Sequence, residues 1–343
     1  MADIDIRIEG RAGRITLNRP EALNALSHAM CLQIERAITA WAAEDAIALV
    51  MIDAVGDRAF CAGGDIQEMY ATGTAGDFTY GRRFWTDEYR LNAKIARYPK
   101  PIVTFLQGFT MGGGVGLGCH ASHRIVCESS QIAMPEVSIG LVPDVGGSML
   151  LAHAPGRTGD YLGITAARMS AGDAIFAGFA DHYVPEADWP GLKAALVSGV
   201  LDDLPSHPAP DAPLAQQQGE LDRFFHGQTP GDIFRALASD DSDFARGTAK
   251  RIARHSPLAM ACGLDIIRRL RSTDDITRAL ELEYRFTARS MEHGDFLEGI
   301  RAQIIDKDKS PRWRHSLDRL PAVAVSQMLR PLGPDTLNLE DPQ

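Results

Sequence analysis

Polar and apolar residues alternate through IDIRIEG and again through GRITLN, and this period of two predicts a strand hairpin turning at 10–13. The spacing then changes to that of an amphipathic helix over 27–43, with Met30, Ile34, Ala37, Ile38 and Trp41 on one face and Ser27 placed as its N-cap. ALVMIDA, at 48–54, has the length and composition of a buried strand, and it leads through AFCAGGD into another helical pattern. The same order recurs: a helix over 84–96 stopped by Pro99 and Pro101, a strand over 102–106, then a glycine run at 112–116 that opens a helix. Strands at 124–127 and 132–134 follow, then helices at 146–153, 157–166 and 171–178, and a short strand at 182–184. Alternating strands and helices place this part of the chain in the α/β class.

Residues 203–215, DLPSHPAPDAPLA, interrupt the pattern with prolines and small residues and mark a boundary. Beyond it the periodicity is helical only, over 229–238, 244–255, 258–272, 276–293 and 296–307, ahead of a polar, proline-bearing tail. The expected division is an α/β part at 1–205, which carries the candidate chemistry, and an α-helical part at 206–343.

Composition narrows the function. A chain of 343 residues, 45% hydrophobic, buries a large core, and a net charge of −10 repels nucleic acid and anionic membranes. Five scattered cysteines without a CxxC pair read as reduced, packed thiols of a cytoplasmic protein. Residues 1–20 lack the apolar block of a signal peptide, and no run reaches the roughly eighteen apolar residues of a membrane span.

The two glycine turns, at 62–65 and 112–116, each stand where a strand gives way to a helix. Their backbone N–H groups have no intrahelical acceptor and suit an anion or a developing oxyanion; the plainer reading is close packing of helix on strand. Glu136 follows Pro135 and Asp144 follows Pro143, so stiff apolar segments present both carboxylates, as a general acid or base requires. The competing reading makes Asp144 an N-cap and Glu136 a solvated turn residue. GLGCHA at 116–121 matches GxGxxA, but it falls inside the helix and lacks the acid some twenty residues on that a dinucleotide site needs. His120 and His123 have HxxH spacing without an adjoining glutamate or third ligand, which favours a helix end over a metal site. No GxSxG is present, and Cys61 lies in an apolar run as a core residue.

NRPEALNAL at 18–26, AFCAGGDIQEM at 59–69, GFTMGGGVGLG at 108–118, MPEVSIGLVPDVGG at 134–147 and FLEGIRAQIIDKDKSPRW at 296–313 together resemble the crotonase (enoyl-CoA hydratase/isomerase) superfamily, and within it the 3-hydroxyisobutyryl-CoA hydrolase branch. The resemblance spans nearly the whole chain. It implies a spiral of repeated ββα units followed by an α-helical region, an acyl-CoA substrate, no resident cofactor or metal, and assembly into trimers or hexamers. It further implies that the N–H groups of Gly64 and Gly113 hold the thioester oxygen, and that CoA threads past Ala22 and Leu23 on one side and Ala62, Asp65 and Ile66 on the other.

Hydratases of the superfamily carry a catalytic glutamate where this chain has Gly116, while their second glutamate matches Glu136. The hydrolase branch resembles this chain in having glycine there, with Glu136, Asp144, and Glu88 ahead of Tyr89 as an acid that binds the acyl hydroxyl. The implied activity is hydrolysis of a short β-hydroxyacyl-CoA thioester in valine breakdown. A hydratase or isomerase using Glu136 and Asp144, and a noncatalytic acyl-CoA-binding protein, are the alternatives.

Overall fold

A computed structural model describes residues 2–340 apart from 202, 203, 205 and 206. The boundary read at 205/206 and the first residue of the proline-rich stretch lie outside the described residues, as do the last three of the polar tail. Packing sorts the chain into two units that interleave along it: Met1–Asp65, Asp87–Ala133 and Arg168–Ala215 form the first, and Ile66–Thr86, Met134–Ala167 and Gln216–Gln343 the second. This division runs differently from one at 205/206, because each unit gathers segments that are far apart in sequence.

Among the described residues, the first unit holds every strand. β1 (Ile4–Glu9), β2 (Ala12–Leu17), β3 (Leu49–Ala54), β5 (Ile102–Phe105), β7 (His123–Val126) and β9 (His182–Tyr183) make a sheet ordered β1-β2-β3-β5-β7-β9. β4 (Ala59–Cys61), β6 (Phe109–Met111) and β8 (Gln131–Ala133) make a smaller sheet in that order. The hairpin β1–β2 is antiparallel, with Ile4 opposite Leu17, and all other pairs are parallel. Consecutive pairs β3/β4, β5/β6 and β7/β8 each send one strand to each sheet, as in the spiral of ββα turns that the resemblance implies.

β3 is buried along both faces, as a parallel strand covered on both sides must be. Leu49, Met51, Val103, Phe105, Ile125 and Cys127 share one core with Trp189, Leu192 and Leu196 of the helix Trp189–Leu196. That helix was not read from the sequence. Its first turn carries Pro190, which breaks an interior pattern but is preorganised for a helix start. Ser27 caps the helix His28–Ala42, its hydroxyl accepting from Met30 N at 3.2 Å.

The second unit is helical. Pro257–Leu270 packs on Gly147–His153 and Thr158–Thr165, and Ile276–His293 packs on Ala322–Leu329. The helix expected over 296–307 is α-helical only for Phe296–Ile300 and closes as a π turn at Arg301–Ile305. Gln218–Phe224 and Ala322–Leu329 are further helices that the periodicity did not mark.

Candidate active site

The strands of the smaller sheet are three residues long because each gives way at once to a turn. β4 ends at Cys61, ahead of Gly63 and Gly64; its parallel neighbour β6 ends at Met111, ahead of Gly112 and the helix Gly113–Gly118. Parallel neighbours bring their carboxyl ends, and so both turns, to one edge of the sheet. Gly112 adopts φ 50° and ψ −118°, which side chains exclude. Gly113 is required by proximity: a β-carbon there would stand 2.6 Å from Glu88 Oε1 and 3.2 Å from Gly64 N. Neither the Gly64 nor the Gly113 N–H donates to a backbone carbonyl among the described residues. Two such N–H donors suit a carbonyl oxygen that gains negative charge.

Glu88 is 3% exposed on the helix Thr79–Ala96. Its neighbours anchor that helix to His28–Ala42: Arg90 Nε donates to Glu35 at 2.7 Å, its guanidinium donates to Asp87, and His28 pairs with Asp87 at 2.6 Å. Burial works to raise the pKa of Asp87, but the hydrogen bonds from His28 and Arg90 outweigh it and hold the carboxyl below its usual range.

The segments expected to flank CoA are joined through their main chains. Ala62 N donates to Leu23 O at 3.0 Å, Leu26 N to Gly63 O at 2.9 Å, and Asp65 N to Leu26 O at 2.9 Å. Ala22, Leu23, Ala62 and Asp65 are thereby brought together in the first unit, whereas Ile66, the N-cap residue of Gln67–Thr74, packs with the second. The pin of this loop is Asn24, which the sequence reading passed over as one of several turn residues. It is 1% exposed; its Oδ1 accepts from Arg19 N at 2.8 Å and its Nδ2 donates to the carbonyls of Val55 at 3.0 Å and Ala59 at 2.8 Å.

Glu136 and Asp144 belong to the second unit, and the structure decides between the readings left open for them. Glu136 opens the 3-10 turn Glu136–Ile139 and is 4% exposed, so it is not a solvated turn residue. Helical segments support that turn: Ser256 N donates to Val137 O at 3.1 Å, and the buried Asp295 accepts from Ser256 Oγ at 2.7 Å and Arg314 N at 3.0 Å. Asp144 is also 4% exposed and does not cap the following helix, whose N-cap is Gly146, without a side-chain cap.

The Asp144 carbonyl accepts from Gly147 N at 2.7 Å, and a side-chain acceptor at that helix start is Glu283, fully buried on Ile276–His293 and absent from the sequence reading. Burial lifts its pKa to about 8 against hydrogen bonds from Ser148 and Gly146, with the charge of Asp144 adding to the rise. One signal could have found it: Glu283 stands at helical spacing with the apolar Ile276, Ala279 and Leu280, on the face that faces inward.

Other candidates separate from the site. The GxGxxA match lies within and just after Gly113–Gly118, and His123 opens β7 with its ring stacked on His182 at 6.2 Å. Burial pushes the Cys61 thiol up to about 12, which suits a core residue and not a nucleophile.

A family model described as enoyl-CoA hydratase/isomerase matches residues 12–329. The mitochondrial 3-hydroxyisobutyryl-CoA hydrolase of Gallus gallus is 36% identical, over 98% of this chain and 91% of its own. Among solved structures, an enoyl-CoA hydratase from Rhodobacter sphaeroides 2.4.1 is 57% identical with a TM-score of 0.96, over 98% of this chain and 100% of its own. A carnitinyl-CoA dehydratase from Mycobacterium thermoresistibile is 39% identical with a TM-score of 0.93, covering 99% of each chain.

Proposed function

The chain belongs to the enoyl-CoA hydratase/isomerase family, and from that premise we propose that it hydrolyses a short β-hydroxyacyl-CoA thioester, 3-hydroxyisobutyryl-CoA, to the free acid and CoA, a step of valine breakdown. The observation that carries the reading is the setting of Gly113, where the Gly64 main chain and the buried Glu88 carboxyl meet with no side chain between them. The N–H groups of Gly64 and Gly113 polarise the thioester carbonyl, and Glu88 receives the acyl hydroxyl. Glu136 takes a proton from the attacking water, or attacks the carbonyl carbon itself to give a mixed anhydride that water then opens. In either course the C–S bond breaks, and Asp144 passes a proton to the departing thiolate or orients the hydroxyl. CoA runs past Ala22, Leu23, Ala62, Asp65 and Ile66.

Gly116 supports hydrolysis over hydration: it is buried within Gly113–Gly118 and supplies no carboxylate where hydratases carry one. The enoyl-CoA hydratase reading has in its favour the name of the Rhodobacter protein. The two are separated by incubating the purified protein with 3-hydroxyisobutyryl-CoA and with crotonyl-CoA while following free thiol and enoyl absorbance. Thiol release that collapses in Glu136→Gln is the expected result, and enoyl loss without thiol would establish a hydratase. CoA binding with no turnover of either thioester would establish a noncatalytic binding protein. Free, buried cysteines suit a reducing compartment, and the cytoplasmic reading is checked by fractionation. Trimer or hexamer formation is read by light scattering.

A further inference from the structure

Asp144 opens a turn closed by Gly147 N, which donates to its carbonyl at 2.7 Å, and the backbone inside that turn is strained. Val145 (φ 53°) and Gly146 (φ 77°) are consecutive left-handed residues, and Gly146, the N-cap of the helix Gly147–His153, has no side chain with which to cap it. A β-branched residue keeps such a conformation only where its surroundings impose it. A long-range restraint comes from Glu283, well over a hundred residues away in sequence. One of its oxygens accepts from Gly146 N at 2.8 Å; the other accepts from Ser148 N at 3.2 Å and is paired with the Ser148 hydroxyl. All three partner groups lie within four residues of Asp144.

We propose that Glu283 is a positioning residue for Asp144, fixing through Gly146 and Ser148 the loop on which Asp144 acts. The proposal rests on the role given to Asp144 above. Glu283 has no solvent exposure and accepts from main chain within the left-handed pair, at Gly146, and just beyond it, at Ser148, so it restrains the loop without entering the chemistry. Its raised pKa fits the task, since a carboxyl that is neutral at pH 7 can hold these groups close to Asp144 without adding a second negative charge.

Glu283→Gln keeps the shape, but an amide nitrogen cannot accept from a backbone N–H. With 3-hydroxyisobutyryl-CoA as substrate and free thiol as readout, kcat should fall roughly 50- to 100-fold while KM stays within about twofold, the signature of a misplaced reacting group. In an Asp144→Asn background the same change should cost less than about threefold more, because it acts through a group already removed. Ser148→Ala is the milder second variant, and it decides the matter where Glu283→Gln does not fold: kcat should fall roughly five- to tenfold, again with little further loss over Asp144→Asn. Losses that multiply with Asp144→Asn, or a folded Glu283→Gln protein with unchanged kcat, overturn the proposal. Undiminished turnover by Asp144→Asn alone removes the role of Asp144, and the positioning role with it, whereas a wild-type protein that releases no thiol fails the hydrolase reading itself.

Discussion

Replacing Gly113 by alanine adds one carbon at the point where Gly64 and Glu88 meet. That carbon would lie 2.6 Å from Glu88 Oε1, about 0.8 Å inside ordinary van der Waals contact, which begins near 3.4 Å. Glu88 has little room to retreat: it is buried on a helix held by the Asp87, Arg90, Glu35 and His28 cluster. Relief therefore falls on the backbone at Gly112 and Gly113, and carries the Gly113 N–H off its line. A misplacement of about 1 Å costs on the order of 10²-fold, and outright loss of an oxyanion donor costs about 10² to 10³ in kcat. We expect Gly113→Ala to lower kcat for thiol release by about 10²- to 10³-fold. Helix propensity alone points the other way, favouring alanine over glycine by about 1 kcal/mol. Gly247→Ala isolates that effect, since a β-carbon at Gly247, in the helix Asp243–Ile252, meets nothing within 4 Å. It should raise Tm by about 2 °C with unchanged kcat. Steady-state thiol release and thermal unfolding of both variants provide the comparison, and wild-type kcat in Gly113→Ala would refute the oxyanion role of this turn.

Burial holds the His255 ring at a pKa of about 4, below the usual 6.5, while its Nε2 pairs with Thr165 O at 3.1 Å. Between those values the unfolded chain binds the extra proton, so stability falls as pH drops from 6.5 to 4, by about 3 kcal/mol at the limit. His255→Gln should flatten that part of the plot of urea midpoint against pH, and an unchanged slope would count against the assignment. Asp160 is fully buried and ion-paired to Arg157 at 3.1 Å, Arg268 at 3.0 Å and Arg271 at 2.8 Å. Asp160→Asn should cost about 3 kcal/mol in denaturant unfolding, and a loss below about 1 kcal/mol would show the cluster to be dispensable. Asn24→Ala leaves the Val55 and Ala59 carbonyls without their donor, at a cost of about 2 kcal/mol. If this loop carries CoA, KM should rise about tenfold with kcat largely retained, whereas an unchanged KM would dissociate Asn24 from CoA binding.

Long elements were legible because a single segment writes its own period. The helix at 276–293 was read to the residue, Ser27 was read as a cap, and ALVMIDA was read as a buried strand. The glycine turns and the ordered motifs marked Gly64, Gly113, Glu88, Glu136 and Asp144 as residue types in particular places. A strand was read at 132–134, where β8 lies, but β4 and β6 were not legible, nor was the sheet the three make: three residues carry no period, and these are strands through hydrogen bonds to one another. The burial of Glu136 and Asp144 likewise depends on segments far along the chain, among them Ser256, Asp295 and Glu283. Residue type and local spacing determined which groups were available for chemistry. Which of them lost water, and which distant main chain held them still, was decided by tertiary structure, because desolvation and hydrogen bonding at such sites belong to contacts that no single stretch of sequence contains.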